Sequence, residues 1–188
     1  MVVAGGIALL TGQPWLFPSL GPTAVLQTEQ PTAESSSPRN TVIGHAVALA
    51  AGYLALLAFG LTTAGPALST GVDLPRVGAA AVSLGLTAGV LALLDRPHPP
   101  AGATTLIVSL GLLNTPTSLG IALASVCVVT ASCWLYNRAS GAPMSLWWSL
   151  PGGARRSQPR SSSAVARHRE DGLPPPASVT WRRPRRRH

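Results

Sequence analysis

The run Asp95-Arg96-Pro97-His98-Pro99-Pro100-Ala101-Gly102-Ala103-Thr104-Thr105 gathers more chemically able groups than any other stretch of the chain. The His98 imidazole titrates near neutrality, so it can serve as an anion ligand or a proton acceptor, or simply cap a helix. Pro99 and Pro100 suit a first helical turn, because proline needs no amide partner there. A helix opening near Gly102 presents N–H groups that favour anions. The Thr104 and Thr105 hydroxyls can face a permeant or bond back to their own helix. Asp95 and Arg96 either pair or mark the level of lipid headgroups. A second group lies upstream, where Arg39 and Asn40 are anion-binding types that also serve as ordinary cap and interface residues. His45 follows about one turn into an apolar run, where a histidine is costly without a partner. Its partner is either the cavity that His98 faces or a neighbouring helix.

These residues make no enzyme motif. There is no Gly-x-Ser-x-Gly, no phosphate loop and no carboxylate pair in the apolar body. His45 and His98 lack the further ligands of a metal site, so no cofactor is expected. Cys127 and Cys133, six apart in one apolar segment, fall on different faces of a helix, which argues against a disulfide or a metal pair.

The elements that must position these groups are membrane helices. Crossing a bilayer takes about 20 apolar residues, and three segments are long enough: about Thr41 to Thr63, Leu74 to Leu94 and Ser118 to Tyr136. Small residues in the first two (Gly44, Ala48, Gly52; Gly78, Gly85, Gly89) permit close helix packing in lipid. Ser19 to Thr28 and Ala101 to Leu113 are shorter, and each follows prolines (Pro14 and Pro18; Pro97, Pro99 and Pro100). They read as half-helices or re-entrant segments. Met1 to Thr11 is apolar but short, without the basic front and cleavage site of a signal peptide. It reads as the remnant of a first span, with a truncated or misassigned start. Gln30 to Pro38, rich in Pro, Ser and Thr, is a loop.

The two short segments resemble each other. Gly21-Pro22-Thr23-Ala24-Val25-Leu26 parallels Gly102-Ala103-Thr104-Thr105-Leu106-Ile107, and each leads through a polar loop into a span. Short broken segments at matching places in two halves point to a transport site. Ser19 and Gly21 therefore join the candidates, opposite His98 and Gly102. If the short segments cross, the halves are inverted; if they re-enter, the halves run parallel. The fold class is all-α and integral to the membrane: three clear transmembrane helices, a short N-terminal span and two Gly/Pro-broken half-helices, arranged as two related halves.

Charge is confined to the end. In residues 1–150 four arginines balance four acids, whereas the tail from Pro151 holds ten arginines against Glu170 and Asp171. The net charge of +8 is that of the tail, so the basic balance is poor evidence for nucleic acid as a partner. A basic flank after the last span marks a cytoplasmic end, with Trp134, Tyr136, Trp147 and Trp148 as an interfacial belt. The expected organisation is a transmembrane domain over 1–138, an interfacial segment over 139–150 and a disordered tail over 151–188. That tail has too few apolar residues to fold alone, and its arginines suit anionic lipid headgroups.

The run His98-Pro99-Pro100-Ala101-Gly102-Ala103-Thr104 resembles the signature of the HPP family of integral membrane proteins. So do Ser19-Leu20-Gly21-Pro22-Thr23-Ala24-Val25-Leu26 and Pro38-Arg39-Asn40-Thr41-Val42-Ile43-Gly44-His45, in matching order and spacing over about residues 15–137. Three features depart from the family pattern: Pro22 stands where a small residue is usual, the first span is short, and the arginine-rich tail lies outside the family region. Members from plastids and cyanobacteria are linked to nitrite transport, and some bacterial members are fused to regulatory domains. The resemblance implies a multi-pass membrane protein that handles a small anion; membrane lipid and a second copy of the chain are the other expected partners, and the cell membrane the expected location. Two readings follow: a transporter or channel for a small anion such as nitrite, or a non-transporting assembly or sensory subunit.

Overall fold

The computed structural model describes residues 1–142 and Met144. Among them it forms seven α-helices and no strand: α1 (Val2–Thr11), α2 (Leu20–Glu29), α3 (Pro38–Ala58), α4 (Ala67–Thr70), α5 (Leu74–Leu93), α6 (Pro100–Ser109) and α7 (Pro116–Ala139). Three of these, α3, α5 and α7, are long and apolar enough to cross a membrane. The arginine-rich tail and Trp147 and Trp148 lie outside the described residues. Cys127 is exposed and Cys133 buried, so the two stand on different faces of α7.

Capping chemistry sets the helix bounds. Ser37, Asp73 and Thr115 each accept a hydrogen bond from a first-turn amide at the start of α3, α5 and α7, and each cap is followed within two residues by a helix-compatible proline. The apolar run to Thr63 does not stay helical. α3 ends at Ala58, where Gly60 takes a left-handed conformation at φ 68° and the Leu61 amide reaches back to the Leu56 carbonyl. The loop from Gln30 to Ser37 contains one 3-10 turn, Glu34–Ser36.

Hydrogen bonds fix the helix directions. The segment leading into α6 lies at the start of α3, where His98 Nδ1 meets the Ser35 carbonyl and Arg96 Nη1 meets Asn40 Oδ1. The end of α6 lies beyond the end of α3, with the Leu110 carbonyl on the Ala67 amide. The linker and α6 together therefore traverse the bundle rather than turning back, and α6 runs parallel to α3. Its ten residues span only about 15 Å, so the extended Asp95–Pro99 segment makes up part of the crossing. α7 runs the other way: Asn114 reaches the Thr62 carbonyl at one end and Asn137 reaches the Gln27 carbonyl at the other. α2 runs against α6, its first turn meeting the middle of α6 and its end meeting Thr41 at the start of α3.

The α3–α6 seam depends on absent side chains. A Cβ on Gly44 would fall 2.8 Å from His98 Cβ, and one on Gly52 would fall 2.6 Å from Val108 Cβ. Gly44, Ala48 and Gly52 thus line a groove that accepts α6. Gly85 and Gly89, with the same spacing, have no neighbour within 4 Å of where a Cβ would stand, because that side of α5 faces outward.

Candidate functional site

The polar groups buried in this apolar bundle form stripes at helical spacing. On α2 and its cap they are Ser19, Thr23 and Gln27; on α3 they are Thr41 and His45. All five are fully buried, and each stripe repeats every four residues, which keeps it on one helix face. The α2 stripe bonds rung by rung: Ser19 Oγ to Thr104 Oγ1 at 2.6 Å, Thr23 Oγ1 to His45 Nε2 at 2.9 Å, and Gln27 Nε2 to Thr41 Oγ1 at 3.0 Å.

His45 is the hub. Its Nε2 meets Thr23 and its Nδ1 meets Thr104 Oγ1 at 2.7 Å. Thr23 and Thr104 are the threonines at matching places in the two similar short segments, so one ring sits between one helix from each. A hydroxyl has one proton to give, which orients the chain of bonds. Thr23 donates to the Ser19 carbonyl at 3.0 Å, so it accepts from His45 Nε2. In a neutral ring Nδ1 is then the bare nitrogen; Thr104 donates to it, and Ser19 Oγ donates to Thr104. This arrangement uses every contact. The reversed one, with the proton on Nδ1, gives up only the Thr23–Ser19 bond.

His98 differs. It is 3% exposed and packs edge-on against His45, with ring centroids 4.9 Å apart. Its Nδ1 lies 2.9 Å from the Ser35 carbonyl, which can only accept, so Nδ1 carries a proton. Among the described residues its Nε2 is buried with no hydrogen-bond partner. His98 also lines a cleft of about 410 Å³ between the end of α5 and the start of α6, with Thr87, Asp95, Arg96 and Gly102.

The remaining sequence candidates fall into three sets. Thr105 ties α6 to α5: it donates to the Ala101 carbonyl at 3.1 Å and accepts from Thr87 at 2.7 Å. Asn40 is buried and joins the 3-10 turn to Arg96, its Nδ2 on the Glu34 carbonyl at 3.1 Å and its Oδ1 3.4 Å from Arg96 Nη1. Arg39 is half-buried on the first turn of α3. At the two short-helix starts, the Gly21 and Gly102 amides bond to the Pro18 and Pro99 carbonyls, at 3.3 and 3.1 Å. Those amides are spent on the backbone and are not free donors. Thr23, Gln27 and Thr87 also join the site; Thr23 lies in the repeated segment, and no motif announces the other two. The signal for Thr23 and Gln27 is the four-residue spacing from Ser19 on an otherwise apolar segment.

A model of the HPP transmembrane region matches residues 1–145 of the chain. The chain belongs to the HPP family. It is accordingly a membrane protein, with the apolar helices described above. No curated protein and no solved structure matches it significantly. In this HPP protein the signature residues His98, Pro99 and Pro100 make the turn into α6, and Pro38 to His45 open the helix that carries the hub.

One feature of the HPP cleft is strained. Among the described residues, four helix ends share the geometry in which the residue after the cap is left-handed and the next amide reaches back five residues. Glycine holds that place at Gly60, Gly111 and Gly141, and Asp95 holds it at the cleft, with φ 52°. A non-glycine residue there costs free energy, and such strain gathers at working sites. Asp95→Gly is expected to stabilise the fold by roughly 0.5–1 kcal/mol, read as a higher unfolding temperature in detergent. A fall in stability would show that the carboxylate itself holds the cleft together.

Proposed function

We propose that this HPP protein carries a small monovalent anion across the membrane, with nitrite the first substrate to test and the basic tail on the cytoplasmic side. The observation that supports this best is the placement of two short, broken helices within a bundle of full spans. They run in opposite directions, and their corresponding threonines grip one buried histidine. A lipid-packed helix has no need of such a polar stripe, because intramembrane polar groups are costly and mark pathways. Broken helices meeting at the interface of two units are the arrangement by which transporters build a binding site. We read α1 to α3 and α5 to α7 as two such units of inverted sense. The cleft at the α6 start, with Arg96 and His98, is where the anion enters, and membrane lipid and a second copy of the chain are its surroundings.

The test is uptake into proteoliposomes holding the purified full chain, with nitrite, nitrate and formate as substrates. Wild type is expected to take up nitrite faster than empty liposomes, and His98→Ala to lose at least about tenfold of that rate, equivalent to about 1.4 kcal/mol. If well-folded protein moves none of these anions, the transport reading is overturned in favour of an assembly or sensory subunit.

A further inference from the structure

We infer that the anion site takes its anion together with one proton, the proton residing at His98 Nε2. This rests on the transport reading above and names the chemistry of the same site.

The argument starts from which nitrogen is free. His98 Nδ1 faces the Ser35 carbonyl in every protonation state and must carry hydrogen. The neutral ring therefore has a bare lone pair at Nε2, which accepts and cannot donate. That atom is buried without a partner, and a buried acceptor left unmade costs about 1–3 kcal/mol. His45 cannot relieve it, since both of its nitrogens are engaged. A bare lone pair repels an anion. The unpaired nitrogen fits a group that brings a proton.

The surroundings decide between a cation that brings its own proton and an anion accompanied by one. The charged groups on the elements around His98 are Arg96 and Asp95 on its own linker, Glu34 on the 3-10 turn beside Ser35, and Arg39 on the first turn of α3. Asp95 and Glu34 are exposed, whereas both arginines are half-buried. From α5, Thr87 has its proton committed to Thr105. From α3, neutral His45 presents its ring. The two acids are the more solvated charges and the two arginines the less exposed ones, which favours an anion.

The step balances simply. A hydronium ion of the solvent gives up one O–H bond and becomes water, its proton forms the Nε2–H bond, and the imidazolium donates to the incoming anion, so no net charge is added to the site. Arrival of the same pair as the neutral conjugate acid gives an identical bound state. A charged ring alone, so deeply buried, is costly, so proton and anion enter and leave together.

The test is anion binding to the full chain in lipid nanodiscs, titrated with sodium nitrite and with sodium nitrate between pH 7 and pH 9. Both anions stay ionised across that range. One proton taken up per anion makes the apparent Kd rise about tenfold per pH unit. Protein labelled with ¹⁵N-histidine should show one ring whose Nε2 goes from bare to protonated on anion addition, while its Nδ1 stays protonated. His98→Gln keeps a side chain that can reach Ser35; it should bind more weakly, with no pH slope and no such ring signal. Binding with a flat pH slope in wild type overturns proton coupling and leaves anion transport standing. Absence of binding by either anion overturns both.

Discussion

Replacing His45 by alanine is expected to cost the fold about 3–5 kcal/mol, the range for removing a large buried side chain and stranding its partners. Two effects add. The vacated space lies between α2, α3 and α6, where the ring is fully buried. The Thr23 and Thr104 hydroxyls, 2.9 and 2.7 Å from the ring nitrogens, also lose their shared partner. Since α2 meets α6 through these bonds and the Ser19–Thr104 contact, its hold on α6 should loosen first, while Asn137 still ties its end to α7. The measurement is reversible unfolding in mixed micelles, with hydrogen exchange of the α2 amides. A double-mutant cycle with Thr104→Val should be non-additive by about 1–2 kcal/mol, as for residues in one network. A cost below about 1 kcal/mol for His45→Ala would mean that α2 is held by apolar packing, and that the polar stripe serves the ligand alone.

That prediction depends on contacts the sequence only half discloses. The three long apolar runs, the two short ones and the polar loop between them were legible, because length and proline placement are local properties. The stripes Ser19–Thr23–Gln27 and Thr41–His45 are also visible as four-residue spacings. Their pairing is not, since it depends on α2 running against α3, which is settled by the turn at Glu34–Ser36 and by the ends of α6 and α7. The same limit separates Gly44 and Gly52, which admit α6, from Gly85 and Gly89, which meet nothing: spacing is shared, and rotation about the helix axis decides. His45 and His98 look alike as lone histidines in apolar surroundings. Only the structure shows that one is satisfied twice and the other keeps a vacant nitrogen. At the starts of the short helices, the expectation of free amides meets prolines and tight turns that consume them. This moves the weight of anion recognition from the backbone to His98 and Arg96.

Arg76 carries the second large effect, and sequence alone marks it only as a charge at the head of a span. It is 2% exposed. Its guanidinium donates to two carbonyls: Nη1 to Ser109 at 3.2 Å and Nη2 to Gly65 at 2.6 Å. Ser109 ends α6, so the cation caps the negative end of that helix dipole, while Gly65 belongs to the loop after α3. One fork thus ties three elements at the end of α6 opposite His98. Arg76→Met removes two hydrogen bonds from a charged donor, each worth about 1.5–3 kcal/mol, and strands both carbonyls. The expected loss is about 3–5 kcal/mol in the same unfolding assay. Arg76→Lys should recover less than half, because a single ammonium cannot reproduce a planar fork reaching two separate acceptors. Gly111 shows how tightly the fork is seated: it lies at φ 84°, and a Cβ there would stand 2.8 Å from Nη1. Since α6 is one rigid element of about 15 Å, loosening its end frees its start. Arg76→Met should therefore weaken anion binding as well, without touching the anion. Unfolding losses with unchanged anion affinity would show instead that His98 is positioned by the Ser35 and Gly44 contacts alone, independently of where α6 ends.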